Sequence, residues 1–220
     1  METCKSLRIS SLLIFFLLSI SGFAQTKIVE VSHYLFPQFT KGLVLMKSGI
    51  RNEASLNYNS ITEEMIFDNR GTKLAMSQLN LVDTVFIQGR KFILFGGKFV
   101  ELVYHSKYEL YVQHKCSIKD PGKPSGYGGT SQTSATTTYS SYVTGGQFYE
   151  MKLPDGLETK LYVEYWLKKD GVPIKFINIR QLAKLFDDKA ALFKDYVKKH
   201  AVKYTDQESI VALIKYMESI

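Results

Sequence analysis

The feature that most constrains this chain is the spacing of its apolar runs between residues 27 and 118. These runs are short and rich in Val, Ile, Leu, Phe and Tyr. They recur about every 8–12 residues between turn signals, the pattern of an antiparallel sheet, sandwich or barrel. Leu43 to Lys47 is one such run. In the next, Ala54, Leu56 and Tyr58 alternate with Ser55, Asn57 and Asn59, the period of two that half-buries a strand. Met65 and Phe67 share a face, and Asp68-Asn69-Arg70-Gly71 reads as a turn. Val82 to Ile87 and Phe92 to Phe95 flank Gln88-Gly89 as a hairpin. Gly96-Gly97 then turns the chain into Phe99 to Tyr104, and Tyr108 to His114 follows.

A second strand zone covers 147–176. Pro154-Asp155-Gly156 and Asp170-Gly171 are turn signals around Thr159 to Leu167. That run carries bulky groups on both faces, so it is expected to be a central strand, with Gln147 to Leu153 and Val172 to Phe176 on either side. Residues 178–220 read as helices. Asn178 with Gln181 forms a capping-box-like start to the stripe Ile179, Leu182, Ala183 and Phe186. Asp187 or Asp188 can cap a second segment with Ala190, Phe193 and Val197 inward. Thr205 with Glu208 opens a last helix whose stripe is Ile210, Leu213, Ile214 and Met217. Each stripe needs a surface to bury against, and the sheet supplies it. The fold class expected is α+β: an antiparallel, meander-like sheet of about eight strands with C-terminal helices packed on it, a curved half-barrel being one form it could take.

The stretch 119–146 separates the two strand zones. Residues 125–146 hold eleven Ser or Thr, five Gly and three Tyr, and no charge. Such a composition buries little apolar surface. Thr136 to Val143 has high β propensity and suits an edge strand or a lid. Tyr127, Tyr139 and Tyr142 present flat amphipathic rings among small polar residues, which is recognition-loop chemistry suited to sugars or peptides. They are the candidate ligand-binding residues, against the alternative of a solvated linker.

The first 24 residues read as a cleavable signal peptide. Lys5 and Arg8 precede the apolar run Leu12 to Ile20, and Gly22-Phe23-Ala24 fits a cleavage site. The run is too short to span a bilayer. The mature chain, 25–220, is expected to be one α+β domain, periplasmic or at the cell surface, with no transmembrane helix. It keeps one cysteine, Cys116, which rules out an internal disulfide. The formal net charge of +7 would suggest nucleic acid, but export points instead to anionic lipid, polysaccharide or acidic partners. Lys184, Lys189, Lys194, Lys198, Lys199 and Lys203 gather in the helical tail. They read as the solvated face of amphipathic helices, or as a contact for an anionic surface.

No motif dictates a chemistry. A nucleophile elbow, a zinc helix and a P-loop are all missing, and Gly128-Gly129 lacks the setting of a dinucleotide fingerprint. His114 and Cys116 stand two apart on a strand and share a face. Zinc would need further ligands, for which nothing selects among His33, His105 and His200. As a nucleophile and base the pair is only loosely placed. The plainer reading is a buried thiol beside a surface imidazole. Asp187-Asp188 and Glu63-Glu64 point apart, as adjacent residues do on a helix or a strand. Neither a metal nor a cofactor is expected.

Gly22-Phe23-Ala24-Gln25, Leu56-Asn57-Tyr58-Asn59 and Val82-Asp83-Thr84-Val85 with Phe92 and Phe99 carry a wider resemblance, joined by Gly128-Gly129-Thr130-Ser131 and the short helical C-terminus. With these features the chain resembles a family of uncharacterised exported proteins of Bacteroidota bacteria. That family has no assigned activity and so lends no catalytic residues. The resemblance implies that Thr84, in Asp83-Thr84-Val85, is similar to an O-glycosylation acceptor of that phylum. Two functions are carried forward. The first is a non-enzymatic exported protein that binds an envelope component, a lipid or glycan, or another small ligand. The second is a hydrolase, which requires a cleft where a histidine meets a carboxylate or Cys116.

Overall fold

Turn chemistry sets the strand boundaries. Four two-residue turns carry both central residues at positive φ: Arg70–Gly71, Gln88–Gly89, Gly96–Gly97 and Asp170–Gly171. Turns of this hand match the twist of two antiparallel strands, and glycine reaches the required φ without a Cβ clash. The structure, a computed structural model, describes residues 33–119, 123–124, 130–131, 149 and 158–220. Its strands are β1 (Thr40–Met46), β2 (Arg51–Asn59), β3 (Glu64–Asn69), β4 (Thr72–Ala75), β5 (Val82–Ile87), β6 (Arg90–Phe95), β7 (Lys98–His105), β8 (Glu109–Lys119), β9 (Lys123–Pro124), β10 (Thr130–Ser131), β11 (Glu158–Lys169) and β12 (Val172–Phe176). The helices are α1 (Ile179–Lys184), α2 (Ala190–Lys199) and α3 (Gln207–Ser219).

Ten strands form one antiparallel sheet in the order β12-β11-β8-β7-β6-β5-β1-β2-β3-β4, and β9 pairs with β10 apart from it. The meander expected from the sequence is thus two meanders, β5 to β8 and β1 to β4, joined along β1 and β5. The sheet is larger than the turn spacing suggested. Strand β4, whose one bulky apolar residue is Leu74, has no apolar run to read. Strand β11 is internal, as its two bulky faces predicted, but its neighbours are β8 and β12. The expected neighbour 147–153 lies outside the described residues except for Tyr149, which is not in a strand.

The register lines up one row of buried side chains across seven strands: Val44, Val85, Phe92, Glu101, Val112, Tyr165 and Phe176. On one side of Glu101 the row belongs to a core of Phe36, Leu56, Tyr58, Met65, Ile87 and Phe99. On the other it belongs to a core built under the helices. There Leu182, Phe186, Phe193, Ile210, Leu213, Ile214 and Met217 pack on Leu110, Val112, Tyr165 and Leu167. Each such side chain contributes about 2 kcal/mol on leaving water.

The cap of α1 is the expected Asn178, and the caps of α2 and α3 differ from expectation. Asn178 accepts from Gln181 N at 2.9 Å, but Gln181 Oε1 accepts from Ile177 N rather than from the cap itself. Helix α3 is capped by Asp206, not Thr205. Its carboxylate accepts from Glu208 N and Ser209 N at 3.1 and 3.3 Å, and a carboxylate at this end also suits the helix dipole. Asp187 and Asp188 lie in a 3-10 turn, and the residue before α2, Lys189, makes no side-chain cap. Glu218 ties α3 to the β7–β8 turn by accepting from Tyr104 Oη and Lys107 N.

Gly42 occupies β1 where the two meanders join. A Cβ there would stand 2.8 Å from both Leu56 Cδ1 and Phe86 O, so a side chain must push β2 or β5 away. Gly42→Val is expected to cost about 1–3 kcal/mol, read as a lower urea midpoint with an unchanged slope.

Candidate functional site

The site begins where a ladder stops. Strands β7 and β8 pair from His105–Glu109 to Glu101–Val112, and there the pairing ends although both strands continue. The β2–β3 turn enters the opening. Cys116 N donates to Ser60 O at 2.8 Å, and Phe99 N donates to Glu63 O at 3.4 Å. The Tyr58 hydroxyl lies 3.2 Å from Phe99 O and 3.0 Å from His114 O, so one phenol serves both strands where they part. Burial and the nearby Glu63 push that phenol far above its ordinary pKa, which keeps it a donor. Asn59 Oδ1 shapes the turn by accepting from Ile61 N and Thr62 N. The Asn57 amide accepts from Phe36 N and donates to Phe36 O, as a backbone partner would. Asn57 and Asn59 are therefore buried, although strand alternation placed them on a polar face.

Beside the opening lies a charge cluster. Arg90 is paired to Glu101 through both nitrogens of its fork, and His114 Nε2 stands 2.7 Å from Glu101 Oε2. The Arg90 guanidinium lies over the rings of Phe36 and Phe92, at 5.3 and 5.6 Å. Burial alone would raise the Glu101 carboxyl, but bonds from Arg90 and His114 outweigh it and hold the group below its ordinary range. An ionised carboxylate only accepts, so one tautomer of His114 donates from Nε2 to Glu101; a guanidinium only donates, so the other tautomer accepts there from Arg90. Arg90 Nη2 comes within 2.9 Å of the same nitrogen. Burial, with that cation beside it, lowers the His114 pKa against the pull of Glu101, so the ring is neutral at pH 7.

His114 borders an open cleft. The cleft has a volume of about 560 Å³ and is walled by Leu35, Leu161, Val163 and Ile177, with Ser60, His114 and Tyr204 among its polar members. Such a volume lies within the range of small-ligand sites. Ser60 is 1% exposed, and its hydroxyl has no hydrogen-bond partner among the described residues. Leaving a buried hydroxyl unmatched costs about 1–3 kcal/mol.

The residues singled out from the sequence scatter around this site. Tyr127, Tyr139 and Tyr142, the run Thr136 to Val143 and the signal segment 1–24 lie outside the described residues. His114 and Cys116 share a face as expected, but the thiol and imidazole exchange the burial expected of them. The ring is 8% exposed because Arg90, Glu101 and Tyr58 surround it, whereas Cys116, further along the strand, is half-buried. Burial pushes the Cys116 thiol above its ordinary range. Glu63 faces Gln113 and Lys115, and Glu64 accepts from Tyr149, so the two carboxylates stay apart. Thr84 is 4% exposed and donates to Asp83 Oδ2, so an enzyme could reach its hydroxyl only before β5 is paired. Most of the tail lysines are exposed. Among the described residues no three His, Cys, Asp or Glu gather as a metal site, and no helix is long and apolar enough to cross a membrane.

Sequence reasoning missed Arg90, Glu101 and Ser60. Glu101 had a signal, being the lone charge in the apolar run Phe99 to Tyr104. Arg90 follows a hairpin turn and Ser60 sits inside one, where polar residues are ordinary.

Both titrating members of the cluster have depressed pKa values in the folded chain, so both favour folding above their unfolded values. Stability is expected to fall on acidification in two steps, one below pH 6.5 from His114 and one below pH 4.5 from Glu101. His114→Gln should remove the first step from a plot of unfolding free energy against pH. Glu101→Leu should cost about 3–5 kcal/mol at pH 7 by leaving Arg90 unmatched, and Arg90→Met in the same chain should recover much of it.

No protein-family model, no curated protein and no solved structure matches this chain.

Proposed function

We propose that the chain is an exported, non-enzymatic protein that holds a component of the cell envelope or another small ligand in the cleft beside His114. The observation that carries this reading is the cleft itself: apolar walls at the boundary of two cores, with a buried, unmatched Ser60 hydroxyl at its lining. A ligand with an apolar body and one polar group would cover the walls and give the hydroxyl a partner. The signal-like segment 1–24 and the resemblance to exported proteins support the compartment. By composition the segment with Tyr127, Tyr139 and Tyr142 has the chemistry of a recognition loop.

The hydrolase reading has one observation in its favour, the His114–Glu101 pair at the cleft wall. Among the described residues no hydroxyl or thiol is bonded to the His114 ring, and Arg90 claims the same carboxylate. Binding is therefore the better-supported function.

Native mass spectrometry of the protein purified from its own host tests this directly. A retained lipid or glycan supports the reading, and a bare chain weakens it. In the purified protein, an apolar fluorescent probe (anilinonaphthalene sulfonate) should bind one per chain. Leu161→Trp, which fills the cleft from an exposed position, should weaken that binding at least about tenfold while leaving the thermal midpoint nearly unchanged. Equal probe binding by both proteins would place the probe elsewhere and sink the cleft as the site.

A further inference from the structure

The cleft runs along a strand edge that no strand covers among the described residues. Strand β11 pairs with β8 over its length, but with β12 only from Tyr165 to Lys169. Strand β12 ends at Phe176, where the chain leaves for α1. Among the described residues no strand pairs with Lys160–Glu164 on the side away from β8.

The register tells which groups face that side. Lys169 and Val172 flank the two-residue turn Asp170–Gly171, so they exchange backbone hydrogen bonds, and Leu167–Ile174 and Tyr165–Phe176 follow in alternation. Val163 and Leu161 continue the series and turn their backbone groups away from β8. The Val163 carbonyl is taken by the Tyr204 hydroxyl at 2.9 Å. The Val163 and Leu161 N–H groups and the Leu161 carbonyl have no partner among the described residues.

Edges of this kind are usually blunted. The two ends of the sheet obey that rule: β4 is four residues long with a lysine, and β12 carries Pro173, whose missing N–H faces outward, and Lys175. Between Lys160 and Glu164 the β11 edge has no proline and a single lysine, Lys160, and Leu161 and Tyr162 stand 43% and 40% exposed on it. Its charges are also unbalanced. Lys115 is shared by Glu63 and Glu164, and Glu164 also pairs with Lys175, whereas Lys160 at the cleft rim makes no ion pair among the described residues.

We propose that the ligand of this cleft is an extended peptide segment of a partner protein, added as a strand along Lys160–Glu164. It places alternate apolar side chains in the cleft and one acidic side chain beside Lys160. Its backbone would take up the unmatched N–H and C=O groups, and residues opposite Leu161 and Val163 would point at the apolar walls. This inference rests on the cleft being the binding site, and names what fills it.

The test uses a fluorescein-labelled peptide Thr-Val-Thr-Val-Glu-Thr and the intact protein. The peptide should displace the apolar probe. Methylating the backbone nitrogens of both valines, which leaves every side chain in place, should weaken binding at least about tenfold. Lys160→Ala should weaken the Glu peptide several-fold and leave a Glu-to-Lys peptide unaffected. Equal affinity for methylated and unmethylated peptide would overturn strand addition. So would a result in which no peptide competes but a single-chain lipid does, and in that case the cleft stands as a lipid site. If the apolar probe itself ignores Leu161→Trp, the cleft reading fails and this inference with it.

Discussion

The carboxylate of Glu101 sits in the middle of a sheet row otherwise made of Val, Phe and Tyr. A buried charge is tolerated only when its partners are close and well aimed. Glu101 has two, Arg90 from the preceding strand and His114 from the following one. The pairing therefore fixes β6, β7 and β8 relative to one another at the place where the β7–β8 ladder ends. Arg90 lies over the rings of Phe36 and Phe92 and so links the cluster to the aromatic core. The cluster also divides the interior. Apolar packing runs up to it from both sides, and two cores result where one sheet would otherwise carry a continuous one.

The opening between β7 and β8 follows from the same arrangement. Backbone groups stripped of a neighbouring strand must find other partners. The β2–β3 turn supplies them with its own carbonyls and with the Tyr58 hydroxyl. Inserting that turn brings Ser60 into the interior, and the fully buried helix-side core reaches Val112 and Tyr165, with the cleft beyond them. The cleft is thus a product of two demands: a charge that must be paired and a ladder that must be closed. Strand β12 ends at Phe176, so among the described residues no strand covers Lys160–Glu164, and this stretch of β11 adds to the cleft wall.

Local chemistry made much of the architecture legible. The hairpin turns at Gln88-Gly89, Gly96-Gly97 and Asp170-Gly171 were visible because few residues accept positive φ. The helix stripes of α1 and α3 were visible because burial demands a period near 3.6. The α3 cap was misread by one residue because Thr205 and Asp206 are both good caps, and only the backbone path decides which side chain reaches the first turn. Asn57 and Asn59 were misread for a different reason. Alternation tells which residues share a face, but not whether another part of the chain will cover the polar one.

Sequence alone determined the fold class, the hairpin turns and the helical stripes of the C-terminal region, since each rests on residue type and near neighbours. Tertiary structure decided the order of strands around β1, the meeting of Arg90, Glu101 and His114, the burial of Ser60 and how far β12 pairs along β11. These depend on which residues far apart in the chain come together. The energy that selects them is the cost of burying charges and backbone groups without partners, and that cost arises only once the sheet has closed.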